Sequence, residues 1–137
     1  MAGERRMLRV VVVDDDRRAR GALAAMLATW PELEVVGLAG DGAEAVRMCD
    51  ELTPDAVVLD AIMPVLDGVA AAQQIRRAHP AIGIVLLTLY GSLEVEARDA
   101  GVDVFLLKSE AVDEVAAAVL RAGGRRPRAD MKVRELV

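Results

Sequence analysis

The residues best suited to chemistry are acidic side chains that stand at the ends of short apolar runs. Asp14 and Asp15 follow the run Leu8–Val13, and Asp60 follows the run Ala56–Leu59. Carboxylates held close together repel one another, which raises their pKa values or destabilises the fold unless a cation compensates. Ligand sets made only of oxygen suit Mg²⁺, which prefers octahedral geometry and keeps several waters. The acids therefore predict a magnesium site, although an acidic run is also typical of a solvated helix N-terminus.

A lysine and a threonine end two further apolar runs. Lys108 is one of only two lysines in a chain with fifteen arginines, which favours a compact point charge at that position over a planar guanidinium. Its alternative role is a strand-end lysine that reaches solvent, and Thr88 is alternatively an ordinary β-branched strand residue. Together with Asp60 as nucleophile and a cation site, the hydroxyl and the ammonium group suit phosphoryl transfer to an aspartate.

The positions of these residues depend on an alternation of apolar runs and helical patterns, which occurs five times. Predicted strands cover Leu8–Val13, Leu33–Leu38, the run ending at Asp60, Ile82–Leu87 and Val102–Leu107. Such alternation predicts an α/β fold, a doubly wound five-stranded parallel sheet with helices on both faces. Right-handed crossovers place the carboxyl ends of the strands at one edge, where open sheets of this kind bind ligands. The acids, Thr88 and Lys108 are therefore expected to converge.

Local signals place the helices between the strands. Helical patterns run from Ala19 to Trp30, from an Asp41–Glu44 capping box to about Leu52, over Val69–Ala78, over Ser92–Ala100 and from Val112 to Leu120. The last pattern repeats apolar residues at i, i+3, i+4 and i+7, and it is the strongest amphipathic pattern in the chain. Gly101 predicts the end of the fourth helix, and Gly123-Gly124 the end of the fifth.

Composition predicts one soluble domain. The chain has 137 residues, of which 54% are hydrophobic and only three are aromatic, so a mainly aliphatic core is expected. Apolar runs stay short of the roughly 18–20 residues of a membrane span, and the first nine residues lack the apolar segment of a secretory signal. A single cysteine, Cys49, fits a reducing compartment and is expected as a buried apolar residue. These features predict a cytoplasmic protein with no membrane partner.

Charge divides the chain into an acidic body and a basic tail. Residues 1–120 hold 11 Lys/Arg and 20 Asp/Glu, a balance of −9, whereas residues 121–137 hold 6 and 2, a balance of +4. Such a body is not expected to bind nucleic acid through charge, and the tail is expected to be a solvated linker. The predicted division is a flexible leader over 1–7, a domain over 8–122 and a linker-like basic tail over 123–137.

With these motifs in order, the chain resembles a two-component response regulator receiver domain over residues 8–122. The matching motifs are Val13-Asp14-Asp15, Leu59-Asp60, Met63-Pro64, Asp67-Gly68, Leu87-Thr88 and Phe105-Leu106-Leu107-Lys108. The resemblance implies a flavodoxin-like fold with strand order 2-1-3-4-5. It also implies that Asp60 accepts a phosphoryl group from a histidine kinase.

The resemblance assigns roles to the remaining site residues. It implies that Asp15, Asp60 and the carbonyl of Ile62 hold Mg²⁺, with Asp14 acting through water. Thr88 and Lys108 would stabilise the phosphoryl group. Thr88 and Phe105 would form the switch that alters the face of the fourth helix, fifth strand and fifth helix, although Phe105 is alternatively a static core aromatic. The chain would then be a phosphoacceptor signalling domain rather than an enzyme.

Within that family the chain looks most like the NarL/FixJ branch. The motifs that carry this likeness are Glu34-Val35-Val36-Gly37, Asp41-Gly42, Pro54-Asp55 and the segment ending at Lys108. Members of this branch usually add a LuxR-type helix-turn-helix, so DNA binding and transcription regulation would act through an output domain absent from this sequence. A homodimer is a further expectation.

Three residues or segments depart from the family pattern. Ser109 replaces a common proline, which puts a cis peptide after Lys108 in doubt because a non-proline cis bond costs roughly 2.5–4 kcal/mol. Asp16 adds an acid that could compete for the metal or tune its affinity. The segment Leu89–Ser92 has no acidic residue, so the start of the fourth helix is not defined by sequence.

Two other functions remain open at this point. Asp14-Asp15-Asp16 after a β-branched strand also looks like the D-x-D motif of haloacid dehalogenase-type phosphatases, with Asp14 as nucleophile and Asp16 as acid. That assignment gives Asp60 no role, and the chain shows no clear later acidic metal motif. The second alternative is an interaction module that works without phosphorylation.

Overall fold

Five strands and five α-helices alternate along the part of the chain that the computed structural model describes, residues 7–109 and 112–125. They are β1 (Leu8–Val13), α1 (Arg17–Ala28), β2 (Leu33–Ala39), α2 (Gly42–Leu52), β3 (Ala56–Asp60), α3 (Gly68–Ala78), β4 (Gly83–Thr88), α4 (Glu94–Asp99), β5 (Val104–Leu107) and α5 (Val112–Arg125), with a 3-10 turn at Gly91–Leu93. The five predicted strands and the α/β alternation are confirmed.

The strands form one parallel sheet with the order β2-β1-β3-β4-β5. This confirms the order 2-1-3-4-5. The chain builds outward in one direction from β1 to β2 and in the other from β3 onward, so the crossovers diverge between β1 and β3. Such a point leaves a crevice at the carboxyl ends of the two strands, and Asp14 and Asp60 stand at those ends.

Two apolar cores lie on the two faces of the sheet, because successive strand residues point to opposite faces. Val11 and Val13 pack with α2, α3 and α4, whereas Val10 and Val12 pack with α1 and α5. Every residue of β3 is buried. Burial of each Val or Leu side chain stabilises the fold by about 1.5–3 kcal/mol, so the strand that carries Asp60 is held firmly from both sides.

The capping box predicted at the start of α2 is present. Asp41 Oδ1 accepts the Glu44 N–H at 2.8 Å, and Glu44 Oε1 accepts the Gly40 N–H at 2.9 Å. The capping box therefore reaches one residue further back than the usual form, which returns to the cap residue itself. Cys49 on the same helix is buried, as predicted, and burial raises the pKa of its thiol to about 12.

The prediction that Gly123-Gly124 ends the fifth helix is wrong, because α5 continues to Arg125. A Cβ on Gly83 would lie 2.5 Å from the Ala122 carbonyl oxygen, and one on Gly123 would lie 3.3 Å from the Ala56 Cβ. Small residues thus let the end of α5 approach the sheet closely, and close packing rather than termination accounts for Gly123. The helix runs through the first three residues of the predicted tail, whose remainder lies outside the described residues.

The region after β4 differs from the expected continuous helix. The 3-10 turn precedes α4, no side chain caps either element, and Gly101 follows α4 with a φ of +95° that glycine adopts readily. β5 begins at Val104, two residues later than predicted. Within the described residues there is no cis peptide bond, so Lys108 and Ser109 are joined in trans. None of the described helices has both the length and the apolarity that a membrane crossing requires.

Candidate functional site

The acid pair sits where β1 ends and α1 begins. The Asp14 N–H donates to the Ala39 carbonyl at 3.1 Å, which ties the end of β1 to β2. Asp14 Oδ1 accepts the Asp16 N–H at 2.8 Å. The Asp14 side chain is therefore buried and turned toward the crevice, with only 4% of the residue exposed, whereas Asp15 is exposed.

Asp16 serves the helix rather than the site. Its Oδ1 accepts the Arg18 and Ala19 N–H groups at 2.9 and 3.3 Å, so Asp16 is the N-cap of α1. A cap of this kind stabilises a helix by about 1 kcal/mol. The acids that lie close enough to share a cation are Asp14, Asp15 and Asp60, and the capping role of Asp16 leaves it poorly placed as the acid of a D-x-D phosphatase.

Asp60 ends β3 and is held by two donors. The Ile62 N–H donates to Oδ1 at 3.2 Å, and Lys108 Nζ donates to Oδ2 at 2.9 Å. Only 8% of Asp60 is exposed. Desolvation by burial raises the pKa of Asp60 even though the bonds from Lys108 and the Ile62 N–H act to lower it. Asp60 is therefore a poorly hydrated carboxylate that presents its oxygens toward the crevice.

The loop after Asp60 folds back tightly onto the strand. The Gly68 N–H donates to the Ala61 carbonyl at 2.7 Å, and a Cβ on Gly68 would lie 2.0 Å from the Asp60 carbonyl oxygen. Only glycine fits there. Val65, at the outer tip of this loop, has a φ of +69°, which is strained for a β-branched residue.

Lys108 bridges the two buried acids. Its Nζ lies 2.9 Å from Asp60 Oδ2 and 3.5 Å from Asp14 Oδ2. Burial alone would lower the pKa of Lys108, but the bond and charge attraction to Asp60, with Asp14 beside it, outweigh burial and raise the pKa. The ammonium group is therefore charged and compensates part of the acidic cluster.

The predicted metal residues come together. Asp14, Asp15 and Asp60 each offer a carboxylate oxygen, and these oxygens all lie within 4.8 Å of one another. Such an all-oxygen donor set at a partly open crevice is suited to a hard divalent cation. Ile62, the fourth predicted ligand, follows Asp60 in the same loop.

The predicted switch residues lie further along the sheet. In the register of β3 and β4, Asp60 pairs with Leu87, so Thr88 stands one residue beyond it toward the edge. Thr88 is fully buried, and its Oγ1 accepts the Tyr90 N–H at 3.2 Å. Phe105 is partly buried against the core formed with α2, α3 and α4. The hydroxyl thus lies at the carboxyl end of β4, while the aromatic ring packs against this core from the edge strand β5.

One site residue was not predicted. Arg20, on the second turn of α1, donates from Nη1 to the Asp14 carbonyl oxygen at 2.8 Å. Arg20 is one of fifteen arginines and lies six residues after Asp14, so nothing in the local sequence predicts this contact. Only the packing of α1 against the sheet edge brings the guanidinium to the acid pair.

The chain has clear relatives of known sequence and structure. Residues 10–120 match the family described as response regulator receiver domain. The transcriptional regulatory protein LiaR of Bacillus subtilis is 36% identical over 129 residues, which cover 93% of this chain and 61% of LiaR. The response regulator protein VraR of Staphylococcus aureus is 38% identical over 114 residues, covering 82% of this chain and 54% of VraR.

The fold is likewise similar to a solved receiver structure. The signal receiver domain of NarL from Mycobacterium tuberculosis superposes with a TM-score of 0.81 at 31% identity, covering 88% of this chain and 99% of that one. The chain therefore spans nearly all of an isolated receiver domain, but under two thirds of the length of LiaR or VraR.

Proposed function

Because the chain belongs to the response regulator receiver family, we propose that Asp60 is its phosphoacceptor and that phosphorylation of Asp60 is the signal it carries. The observation that supports this most directly is the buried Asp60 carboxylate, which Lys108 contacts at 2.9 Å within a cluster of three acids. A nucleophilic carboxylate, a cationic side chain and an oxygen-rich metal site are the components that phosphoryl transfer to aspartate requires.

In the proposed reaction, an Asp60 oxygen attacks the phosphorus of a phosphohistidine. A new oxygen–phosphorus bond forms as the phosphorus–nitrogen bond breaks, and the leaving imidazole takes up a proton. Lys108 moves from Asp60 Oδ2 to a phosphoryl oxygen, which a flexible ammonium group does at little cost. Partial dehydration of Asp60 favours attack, because its oxygens have few waters to lose.

The proposed cofactor is Mg²⁺, held by Asp15, Asp60 and the Ile62 carbonyl, with Asp14 acting through a bound water. When bound, Mg²⁺ would neutralise and orient the phosphoryl oxygens. The chain's own contribution is to keep Asp14 and Asp60 oriented by the Asp16 and Ile62 N–H groups, at 2.8 and 3.2 Å. These contacts preset the acid cluster before a cation arrives.

The proposed switch begins at Thr88. Phosphorylation adds about −1.5 to −2 charges beside an acidic cluster. A hydrogen bond from the Thr88 hydroxyl to a phosphoryl oxygen would stabilise this added charge. Thr88 Oγ1 now accepts the Tyr90 N–H, and a rotation of the Thr88 side chain that moves Oγ1 toward the phosphoryl group would release that N–H at the start of the 3-10 turn. Phe105 would then repack inward, and the face of α4, β5 and α5 would change.

Amide chemical shifts test this coupling. Beryllofluoride with Mg²⁺ mimics a phosphoryl group on an aspartate, so it should move the amide resonances of Tyr90 and of residues on α4, β5 and α5. Thr88→Val keeps the shape of the side chain but removes the hydroxyl, and it should suppress the shifts on that face. Unchanged amide resonances on that face in the unsubstituted protein would contradict the switch.

The proposed partners are a cytoplasmic histidine kinase and, through an output domain that binds DNA, the promoters of regulated genes. LiaR is named a transcriptional regulatory protein and VraR a response regulator, and each is longer than this chain, so a regulatory output is proposed for the whole protein. A homodimer is proposed as the form in which that output acts.

Intact-mass analysis after treatment with acetyl phosphate and Mg²⁺ tests the phosphoacceptor. The unsubstituted protein should gain a single acid-labile phosphoryl group, and Asp60→Asn should gain none. Asp67→Asn is a matched control, because Asp67 is an exposed acid in the same loop that caps α3 through the Ala70 N–H. Asparagine caps equally well, so this variant should be phosphorylated normally.

The same experiment separates the alternatives. Repeated turnover of acetyl phosphate by Asp60→Asn would support the phosphatase instead. Failure of the unsubstituted protein to accept any phosphoryl group would support an interaction module that works without phosphorylation. A single phosphoryl group per chain, which hydrolyses only slowly and so allows few turnovers of acetyl phosphate, supports a signalling domain.

A further inference from the structure

Arg20 connects three structural elements at the acid pair. It extends from α1, donates to the Asp14 carbonyl oxygen at the end of β1, and passes over Gly40 just after β2. A Cβ on Gly40 would lie 3.2 Å from Arg20 Nη1, so a larger residue there would crowd the guanidinium. Arg20 is half-buried, unlike the exposed Arg17 and Arg18 on the same helix.

The bonded carbonyl belongs to the peptide that leads directly into Asp15. The Asp14 N–H is fixed to the Ala39 carbonyl at 3.1 Å, and Arg20 fixes the carbonyl on the other side of the same residue at 2.8 Å. Among the contacts of the described residues, no group donates a hydrogen bond to the Asp15 carboxylate. The direction of the Asp15 side chain is therefore set by its backbone, and Arg20 holds that backbone.

We infer that Arg20 is a positioning residue for the cation site, which acts through the Asp14 carbonyl to aim Asp15 at the oxygens of Asp14 and Asp60. This inference rests on the proposed magnesium-dependent function. It assigns to α1 a role in cation affinity that neither the acid motif nor the lysine carries.

Charge and position make opposite predictions for the loss of Arg20. A guanidinium near three carboxylates repels a divalent cation, so removing its charge alone should tighten Mg²⁺ binding. Removing a group that orients a metal ligand typically weakens affinity by about 10–100-fold. The sign of the change in Mg²⁺ affinity therefore distinguishes a positioning residue from a nearby positive charge.

The test is calorimetric titration of Mg²⁺ into three variants of the full chain. Arg20→Gln should bind Mg²⁺ about tenfold more weakly than the unsubstituted protein. Arg18→Gln removes the same charge from the same helix without a side-chain contact among the described residues, and it should bind equally or up to about twofold more tightly. Arg20→Lys keeps a donor and a charge and should recover to within about threefold.

A double-mutant cycle tests whether Arg20 acts through Asp15. In an Asp15→Asn background the ligand that Arg20 orients is already impaired, so Arg20→Gln should cause little further loss of Mg²⁺ affinity. Equal losses from Arg20→Gln in both backgrounds would overturn the proposed route. Amide resonances of Asp14 and Asp15 should also move in metal-free Arg20→Gln and stay in place in Arg18→Gln.

The outcomes are separable from those of the phosphoacceptor test. The inference is overturned if Arg20→Gln binds Mg²⁺ as tightly as Arg18→Gln, even when the unsubstituted protein is phosphorylated on Asp60. The proposed function fails instead if the unsubstituted protein accepts no phosphoryl group, whatever the Mg²⁺ affinities are. If Arg20→Gln does not fold, Arg20→Lys against Arg18→Lys gives the same test: Arg20→Lys should bind Mg²⁺ about threefold more weakly than Arg18→Lys, and equal affinities would overturn the inference.

Discussion

In the part of the chain that the structure describes, ion pairs lie at both the carboxyl edge and the amino edge of the sheet, where the strands end and begin. The Lys108 pair with Asp60 and the Arg76 pair with Asp103 are built differently. At the carboxyl edge, Lys108 contacts Asp60 at 2.9 Å through a single ammonium group. At the amino edge, Arg76 contacts Asp103 at 2.6 Å, with side-chain exposures of 18% and 20%. The guanidinium also donates to the carbonyls of Gly101, His79, Pro80 and Ile82.

The Arg76 pair is therefore a fixed structural contact, whereas the Lys108 pair is suited to exchange. Asp103 Oδ2 also accepts the Ile84 N–H at 2.8 Å, so the Arg76 pair ties the end of α3, the start of β4 and the turn before β5 together. Among the described residues, the Lys108 ammonium contacts only the carboxylates of Asp14 and Asp60, and both of these acids belong to the proposed metal site. An arginine fork suits fixed geometry, and a lysine suits an exchange of oxygen partners.

Arg76→Met should therefore have the largest effect on stability. The substitution removes the guanidinium that contacts Asp103 and that donates to several carbonyls, so we expect a loss of about 3 kcal/mol in the free energy of unfolding. Urea denaturation followed by the fluorescence of Trp30, the only tryptophan, measures this. Arg77→Met is the matched control, because Arg77 is its exposed neighbour, and it should change stability by under about 0.5 kcal/mol. Equal effects of the two substitutions would contradict the structural role of the Arg76–Asp103 pair.

Gly68→Ala should have the next largest effect on stability. This substitution tests whether the backbone after Asp60 is rigid. The added Cβ would lie 2.0 Å from the Asp60 carbonyl, and overpacking of this kind costs about 1–3 kcal/mol. We expect a loss of about 2 kcal/mol together with slower phosphorylation, because the loop that carries Ile62 must shift.

A glycine without close neighbours provides the control for that substitution. Gly21 lies within α1, and a Cβ there meets nothing within 4 Å. Gly21→Ala should stabilise the protein by up to about 1 kcal/mol, since alanine favours a helix interior. The opposite signs of the two substitutions locate the rigidity at Gly68. A stabilising Gly68→Ala would show that the loop is mobile.

The same contrast explains what the sequence could predict. Strands of β-branched residues and the polar residues that end them are local patterns, so β3, Asp60 and Lys108 were all placed correctly along the sheet. Sheet topology then brings Asp14 near Lys108 across 94 residues. Long arginine side chains give no such signal, because any of fifteen could reach a distant carbonyl.

Glycine was the other source of error. A glycine pair at the end of an amphipathic pattern usually terminates a helix, but close approach to the sheet requires the same residue type. Only tertiary neighbours decide between the two, and at Gly123 the neighbour is Ala56 on β3. The end of α5 was therefore mispredicted, while Gly101, which has a positive φ, was assigned correctly.

Lys108→Met should have a smaller effect that a cation reverses. Its loss leaves the buried Asp60 and Asp14 uncompensated, and we expect a decrease of about 1.5 kcal/mol in the free energy of unfolding at neutral pH. The proposed binding of Mg²⁺ to the folded acid cluster should restore most of that loss by mass action. Arg76→Met should show no such recovery, because its acid is at the opposite edge. Equal recovery of both variants would contradict the distinction between the edges.

Asp60→Asn should have the smallest effect and the opposite sign. Desolvation by burial raises the pKa of Asp60 in the folded protein, so the folded state favours the protonated carboxyl. The protonated Asp60 carboxyl contributes its full stabilisation below the pH where an unfolded aspartate titrates. This stabilisation is lost as pH rises through the raised pKa of Asp60 in the folded protein. The neutral amide avoids that loss. Asp60→Asn should therefore match the unsubstituted protein near about pH 3.5 and exceed its stability by up to about 1 kcal/mol near pH 7.

Urea denaturation of both proteins across this pH range, without Mg²⁺, measures the difference. Asp67→Asn, in the same loop, retains its helix cap and should differ from the unsubstituted protein by less than about 0.5 kcal/mol at neutral pH. A stability advantage of Asp60→Asn that shrinks as pH rises would mean that Lys108 compensates Asp60 fully. The Lys108–Asp60 pair would then be a fixed structural contact like the Arg76–Asp103 pair, and the Lys108 ammonium would not be free to exchange Asp60 for a phosphoryl oxygen.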